Sequence, residues 1–211
     1  MVNIIRSDYG KFLRLRREVN IHLDKKPLKD NKKLIAKTIK DAKKVLDIGA
    51  GDLRMKRYLH EVAFKGKYFS MDNNKKSCYD FHDINKIGSN YDAVLLLELI
   101  EHLYLDTGIE YLKKAVEATQ PGGIVVISTP NIDCVGHLWS SDITHIQHYP
   151  LRDLCALLLS LGCENKFYVH KTYMRYFYGR AKILEPLNKI LRKILRIDYE
   201  QGILIFAKKL C

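Results

Sequence analysis

Nine residues, Val45-Leu46-Asp47-Ile48-Gly49-Ala50-Gly51-Asp52-Leu53, constrain the fold of this chain more than any other stretch. A short apolar run ends in an acid and then breaks into two glycines one residue apart. This is the pattern of a buried parallel strand that delivers the backbone into a tight turn at the mouth of a helix. Glycines in such a turn let bare backbone N–H groups approach a ligand, because no side chain stands in the way. A second acid closes the run Tyr68-Phe69-Ser70-Met71-Asp72, where a carboxylate can grip a ribose diol. Together the two runs predict a nucleoside-cofactor site.

Alternation of apolar runs and helical periodicity continues to the end of the chain. It predicts strands at Lys44–Ile48, Lys67–Met71, Tyr79–Phe81, Ala93–Leu97, Ile124–Ser128, Lys166–His170 and Ile203–Ala207, and helices at Leu53–Val62, Gly108–Ala118 and Leu151–Leu159. Ala93–Leu97 and Ile124–Ile127 are apolar on both faces, as central strands covered by helices on two sides must be. Pro121-Gly122-Gly123 and Gly162 punctuate helix ends before the strands that follow. The sum is a doubly wound α/β domain, with ligands expected at the carboxyl ends of its strands.

The domain is expected over 43–211, preceded by a basic helical segment over 1–42 in which Leu34, Ile35 and Ile39 suit a short helix lying on it. Residues 1–40 hold twelve Lys or Arg against four acids, so eight of the twelve excess positive charges lie there. A second basic stretch falls within an insertion at about 173–198, where Ile183, Leu184, Leu187, Ile190, Leu191, Ile194 and Leu195 recur at helical spacing between cations. Basic faces of this kind suit nucleic acid, anionic lipid at a membrane periphery, anionic small molecules, or plain solvent. The insertion's apolar stripe equally suits capping of the sheet or a dimer contact. Five scattered cysteines show neither zinc nor CxxC spacing and predict thiols in a cytoplasmic setting. No run is long enough to span a bilayer, and Met1–Arg6 lacks a signal-peptide core.

With its two acids in register, the glycine turn resembles that of class I S-adenosylmethionine (SAM)-dependent methyltransferases, and the chain resembles their small-molecule, ubiquinone-pathway-like (methyltransferase type 11) branch. The resemblance covers about 43–170 and 203–209 and implies a mostly parallel, seven-stranded Rossmann-like methyltransferase sheet with helices on both faces. It implies that Asp47, Gly49, Ala50 and Gly51 wrap the methionine portion of the cofactor, and that Asp72, beside Met71, bonds the ribose hydroxyls. Asp83 would reach the adenine amino group with Ile84 against the ring, and Glu98 would follow the fourth strand as a cofactor-side contact. Leu53 stands where the family often shows a third glycine. The missing glycine also weakens a dinucleotide reading, which needs it for helix–strand packing under a pyrophosphate.

On the acceptor side, Glu98-Leu99-Ile100-Glu101-His102 would place Glu98, Glu101 and His102 on one helical face. The motif is similar both to small-molecule O-methyltransferases and to small-RNA terminal 2′-O-methyltransferases, whose Glu-x-x-Glu-His binds magnesium. A metal set of Glu98, Glu101, His102 and His145 is the alternative to a metal-free site. Asp142-Ile143-Thr144-His145-Ile146-Gln147-His148 resembles the Asp-x-x-His segment of enzymes acting on quinones, sugars and lipids. It makes His145 the first candidate for general base and His148 the second. Pro130 and Asn131 are candidates for the acceptor wall, and Trp139 and Tyr149 for the same wall or for packing the loop. The aromatic group Tyr168, Tyr173, Tyr176, Phe177 and Tyr178, beside Lys171, Arg175 and Arg180, suits RNA stacking or a lipid-linked or ring-bearing acceptor. The expected activity is methyl transfer to an oxygen of a small molecule, glycan or lipid precursor. RNA 2′-O-methylation and a silent SAM-fold scaffold are the alternatives.

Overall fold

The computed structural model describes residues 8–24, 28, 30–75, 78–134, 142–172, 190 and 200–211. In chain order, helix α1 (Tyr9–Glu18) leads to strand β1 (Ile21–Leu23), helix α2 (Asn31–Thr38) and strand β2 (Lys44–Ile48). Helix α3 (Arg54–Glu61), strands β3 (Lys67–Met71) and β4 (Tyr91–Leu97) and helix α4 (Leu105–Ala118) follow. The chain closes through β5 (Thr119–Pro130), α5 (Leu151–Ser160), β6 (Cys163–Thr172) and β7 (Gly202–Lys209).

The sheet has seven strands in the order β1-β6-β7-β5-β4-β2-β3, and only β7 runs antiparallel to its neighbours. Alternate residues of the central strands feed two apolar layers. Leu46, Ile48, Val94, Leu96, Val125 and Ile127 pack towards α4 and α5, whereas Val45, Ala93, Leu95 and Val126 pack with Ile35, Met55 and Leu59 of α2 and α3. Each such buried side chain contributes roughly 1.5–3 kcal/mol. The chain turns to opposite faces after β2 and after β4, which are paired. Their carboxyl ends therefore open a crevice at the point where the winding reverses.

Two expectations are corrected. Tyr79–Phe81 is not a strand: a single rung joins Phe81 to Met71, because Asp80 turns back to accept from the N–H and hydroxyl of Ser70 at 2.8 and 2.7 Å. The seventh strand comes instead from the amino-terminal segment. Ile21–Leu23 pairs in parallel with Phe167–Val169 at the opposite edge, and Arg16 of α1 forms an ion pair with Asp153 of α5. β5 also begins earlier than expected, taking Pro121-Gly122-Gly123 into a register shift opposite β4. The helix expected around Leu34, Ile35 and Ile39 is present, with Ile35 and Ile39 buried. The insertion at 173–198 lies outside the described residues apart from Ile190, as do Trp139, Tyr173, Tyr176, Phe177 and Tyr178. Among the described residues, no helix is long and apolar enough to cross a membrane.

Candidate active site

The turn after β2 is held by backbone bonds. The N–H groups of Gly49 and Ala50 donate to the Met71 carbonyl at 2.8 and 3.1 Å, locking the turn to the end of β3. Its two glycines serve different ends. At Gly49 (φ 76°) an added Cβ would lie 2.7 Å from Leu99 Cδ1, so that glycine makes room for a packed neighbour. At Gly51 (φ 49°) the nearest atom would be 3.9 Å away, so its open side is what a ligand can approach. Leu53, in the place of a third glycine, takes the left-handed conformation at φ 58°. A leucine there costs about 1–2 kcal/mol. The backbone thus keeps the shape a glycine would favour.

Asp47 ends β2 only 3% exposed, and its carboxylate accepts from the Tyr68 hydroxyl at 2.5 Å. Burial raises its pKa to about 7, against the lowering effect of the Tyr68 bond and with a smaller push upward from Asp72. A cavity of about 540 Å³ opens beside it, lined by Asp47, Gly49, Ala50 and Gly51, by Glu98 and Ser128, and by the first residues of α2 and α3. Asp72 stands on the other flank of the turn. Its two oxygens accept from Gly51 N–H at 3.0 Å and Asn74 N–H at 2.9 Å, and each keeps a lone pair for a diol. Tyr79 donates to the Gly51 carbonyl at 2.6 Å and His82 Nδ1 lies 3.1 Å from the Asp72 carbonyl, so the loop after β3 clamps the turn. Asp83 caps a short turn at Ile84–Lys86 and Ile84 is buried beneath it. Met71, Asp72, Asp83 and Ile84 lie outside the cavity lining, on the β3 side.

Glu98 is left-handed at φ 51°, and only Ile100–His102 forms a single helical turn. The shared helical face expected for Glu98, Glu101 and His102 is therefore not formed. The contact is made differently. Glu98 as a residue is exposed, yet its carboxyl lies against Ser128 and the carboxyl of Glu101. Desolvation raises the pKa of both, and the Glu98 charge raises that of Glu101 further. Glu101 is 2% exposed; Thr129 donates to its Oε2 at 3.0 Å, while Oε1 meets no donor.

The loop after β5 is sewn to this turn. Ile146 and Gln147 N–H donate to the Glu101 carbonyl at 2.9 and 3.1 Å, and His102 Nδ1 lies 3.1 Å from the Thr144 carbonyl. His145 is thereby brought beside His102, ring centroids 4.8 Å apart, with its Nε2 3.8 Å from Asp142 Oδ2. Ligand-capable atoms of Glu101, His102 and His145 all lie within 4.8 Å of one another; Glu98 is outside that group. His148 is exposed and lines a narrow crevice with Pro130, His145 and Tyr149. Tyr149 packs its hydroxyl over Gly108 of α4, and burial raises its pKa. It is a core residue with one edge on the crevice. Asn131 is tied to the Glu200 and Gln201 carbonyls at 2.9 and 2.7 Å, so it braces the end of β5.

Reasoning from the sequence missed Tyr68, Tyr79, Leu99, Thr129 and the start of α2. Strand register is the signal for Tyr68. It pairs with Val45, one pleat below Asp47 on the same face, within diagonal reach of a long side chain.

A parallel sheet with one antiparallel strand, a glycine turn at its winding reversal and a strand-end acid beside that turn define a class I methyltransferase fold. The chain belongs to the methyltransferase domain family, whose description matches residues 19–166, and it is a methyltransferase. Among solved structures it is similar to a SAM-dependent methyltransferase from Archaeoglobus fulgidus at 19% identity and a TM-score of 0.64, covering 85% of this chain and 95% of that one. The methyltransferase domain of bacterial CtHen1-C matches at 16% identity and a TM-score of 0.60, over 85% and 97% of the two chains. A SAM-dependent methyltransferase from Methanosarcina mazei matches at 13% and 0.58, over 87% and 99%. No curated protein matches the chain in sequence.

Proposed function

We propose that the chain transfers a methyl group from SAM to an oxygen of a small molecule, glycan or lipid precursor, with His145 as general base. The observation that carries this reading is the meeting of Glu101, His102 and His145 next to Glu98, which lines the donor cavity. SAM supplies an activated methyl group for direct displacement. The donor set suits it: a buried acid for a cation, open backbone at Gly51, and a strand-end carboxylate for a diol. The chain's own work is then to align the acceptor oxygen and take its proton. Alignment supplies much of the acceleration, and a base adds about 10²–10⁴-fold where a hydroxyl must be deprotonated. What supports His145 is its position beside His102, with Asp142 facing its Nε2. His148 is the second candidate, and Glu101 and His102 shape the same wall. His145→Ala is expected to leave donor affinity within about twofold and to lower kcat by about 10²-fold or more. Unaltered turnover would remove His145 from catalysis.

A second reading, metal-dependent RNA 2′-O-methylation, is favoured by the same three side chains and by the Glu101 oxygen that meets no donor. Two ligands about 2.1 Å from one ion stand at most ~4.2 Å apart, so the present spacing needs closure of a few tenths of an ångström. One carboxylate with two imidazoles suits manganese, cobalt or zinc better than magnesium, which prefers all-oxygen shells. Glu101, His102 and His145 would hold the ion, which would lower the pKa of a bound hydroxyl. Activity lost on chelation and restored by manganese, on RNA ending in a 2′-hydroxyl but not a 2′-deoxy sugar, would establish this reading. Full activity after chelation, with no RNA bound at physiological salt, would remove it.

A further inference from the structure

Among the described residues, Asp47 is the charged side chain that both ends a central strand in the core and lines the donor cavity, where the methyl-transfer reading sets it against a cationic group of the donor. Its side-chain partner among the described residues is Tyr68 from the neighbouring strand. Tyr68 does not line the cavity. A phenol buried against a strand-end carboxylate has two ways of acting: as packing, or as a fixed donor that stabilises the anion. The hydrogen bond itself favours the second, since a hydroxyl donating to a buried carboxylate stabilises the ionised form.

We infer that Tyr68 is a positioning residue for the methyl donor: its hydroxyl holds the Asp47 carboxylate as an anion aimed into the cavity, so that donor affinity depends on pH. This rests on the methyl-donor reading of the cavity. The ligand group that such an anion takes is the α-ammonium of the donor's amino-acid portion. Burial pushes the Asp47 carboxyl up to about 7, so without ligand it gains a proton near neutrality. A bound ammonium favours the anion, and so binding weakens as the proton takes the ammonium's place.

The groups facing Asp47 fix the sign. Asp72, beyond β3, opposes ionisation. Asp30 and Lys32 at the start of α2, Asp52 and Arg54 at the start of α3, and Glu98 after β4 line the same cavity. Arg54 is already engaged with Asp52 at 3.0 Å, and Asp30 caps α2 by accepting from Lys32 N–H at 3.0 Å. The hydroxyl of Tyr68 is thus the group that most directly opposes protonation of Asp47; its own pKa is raised far above neutrality by burial and by Asp47, so it stays a donor throughout.

The test is calorimetric affinity for S-adenosylhomocysteine, the demethylated donor, from pH 5.5 to 8.5. Methylthioadenosine, which lacks the amino-acid portion, serves as the second probe. The wild-type chain is expected to lose about tenfold in S-adenosylhomocysteine affinity per pH unit below a midpoint near 7, and to be flat above it. Methylthioadenosine affinity is expected to stay level across the range. Tyr68→Phe is expected to move the midpoint upward by about one unit, giving about fivefold weaker binding at pH 7, about tenfold at pH 5.5 and near-equal binding at pH 8.5. A packing role for Tyr68 would instead weaken binding equally at every pH and leave the midpoint in place, which would overturn the inference. Asp47→Asn is expected to bind weakly and without pH dependence. A wild-type S-adenosylhomocysteine curve that is level with pH would overturn the inference alone. Absence of binding by either probe at every pH would overturn the methyl-donor reading as well.

Discussion

The two halves of the proposed site, donor and acceptor, are built in opposite ways. The donor half is made of near neighbours: β2 and β3 lie side by side, and Gly49, Ala50 and Gly51 are fastened to Met71 and Asp72 by backbone bonds. The acceptor half is assembled from distant pieces, with His102 meeting Thr144 across 42 residues and Glu101 receiving two N–H groups from the same far loop. Backbone bonds to a rigid sheet constrain the first half to one shape. Side chains on a loop that is pinned at a few points allow the second half to vary with the acceptor. The difference explains why the family is legible from the donor half and the acceptor is not.

The largest expected effect separates the halves most sharply. Asp72→Ala removes a carboxylate that can accept from two ribose hydroxyls, and charge-assisted bonds are worth about 1.5–3 kcal/mol each. S-adenosylhomocysteine affinity measured by calorimetry is expected to fall about 100-fold or more, with the fold intact by circular dichroism. An Asp72→Ala chain that binds as the wild type does would break the assignment of the donor half.

A smaller effect concerns stability. The pKa of Asp47 is raised, so its contribution to stability is full below the ordinary carboxylate range, declines as pH rises from there, and is gone above about 7. At about 1.4 kcal/mol per unit the loss is of order 4 kcal/mol at most. Asp47→Asn removes it and can still accept from Tyr68. Thermal melting without ligand is expected to give the variant a midpoint roughly 5 °C or more above the wild type at pH 8, with the gap closing towards pH 4.5. A gap that widens on acidification would contradict the buried-acid account.

The smallest effect tests the shape of the turn itself. Leu53→Gly relieves a left-handed leucine while loosening the unfolded chain, so stability is expected to change by no more than about 1 kcal/mol. Leu53→Val places a β-branched residue at φ 58° and is expected to be the less stable of the two. Urea melts of the pair, in the reverse order, would show that the turn is not held as described.

The central strands and the turn were legible because their chemistry is local. Val94–Leu96 and Val125–Ile127 are apolar on both faces, and only a doubly covered sheet accommodates that. Ile21–Leu23 was not legible: three residues with a partly exposed pattern carry no strand period, and β6 alone makes them a strand. Tyr79–Phe81 failed for the reverse reason, since Asp80 offers the Ser70 N–H and hydroxyl a better acceptor than a ladder would. The meeting of His145 with Glu101 and His102 depends on where a loop is tied. The Tyr68–Asp47 bond depends on a register that only the folded sheet defines.

The measurement that bears most directly on the whole account is a crystal structure with S-adenosylhomocysteine bound. The account predicts the amino-acid portion in the cavity beside Asp47, the ribose diol on Asp72, and the sulfur turned towards the mouth formed by Glu98, Glu101 and His145. A product seated away from the Asp47–Leu53 turn, or with its sulfur facing away from that mouth, would contradict it.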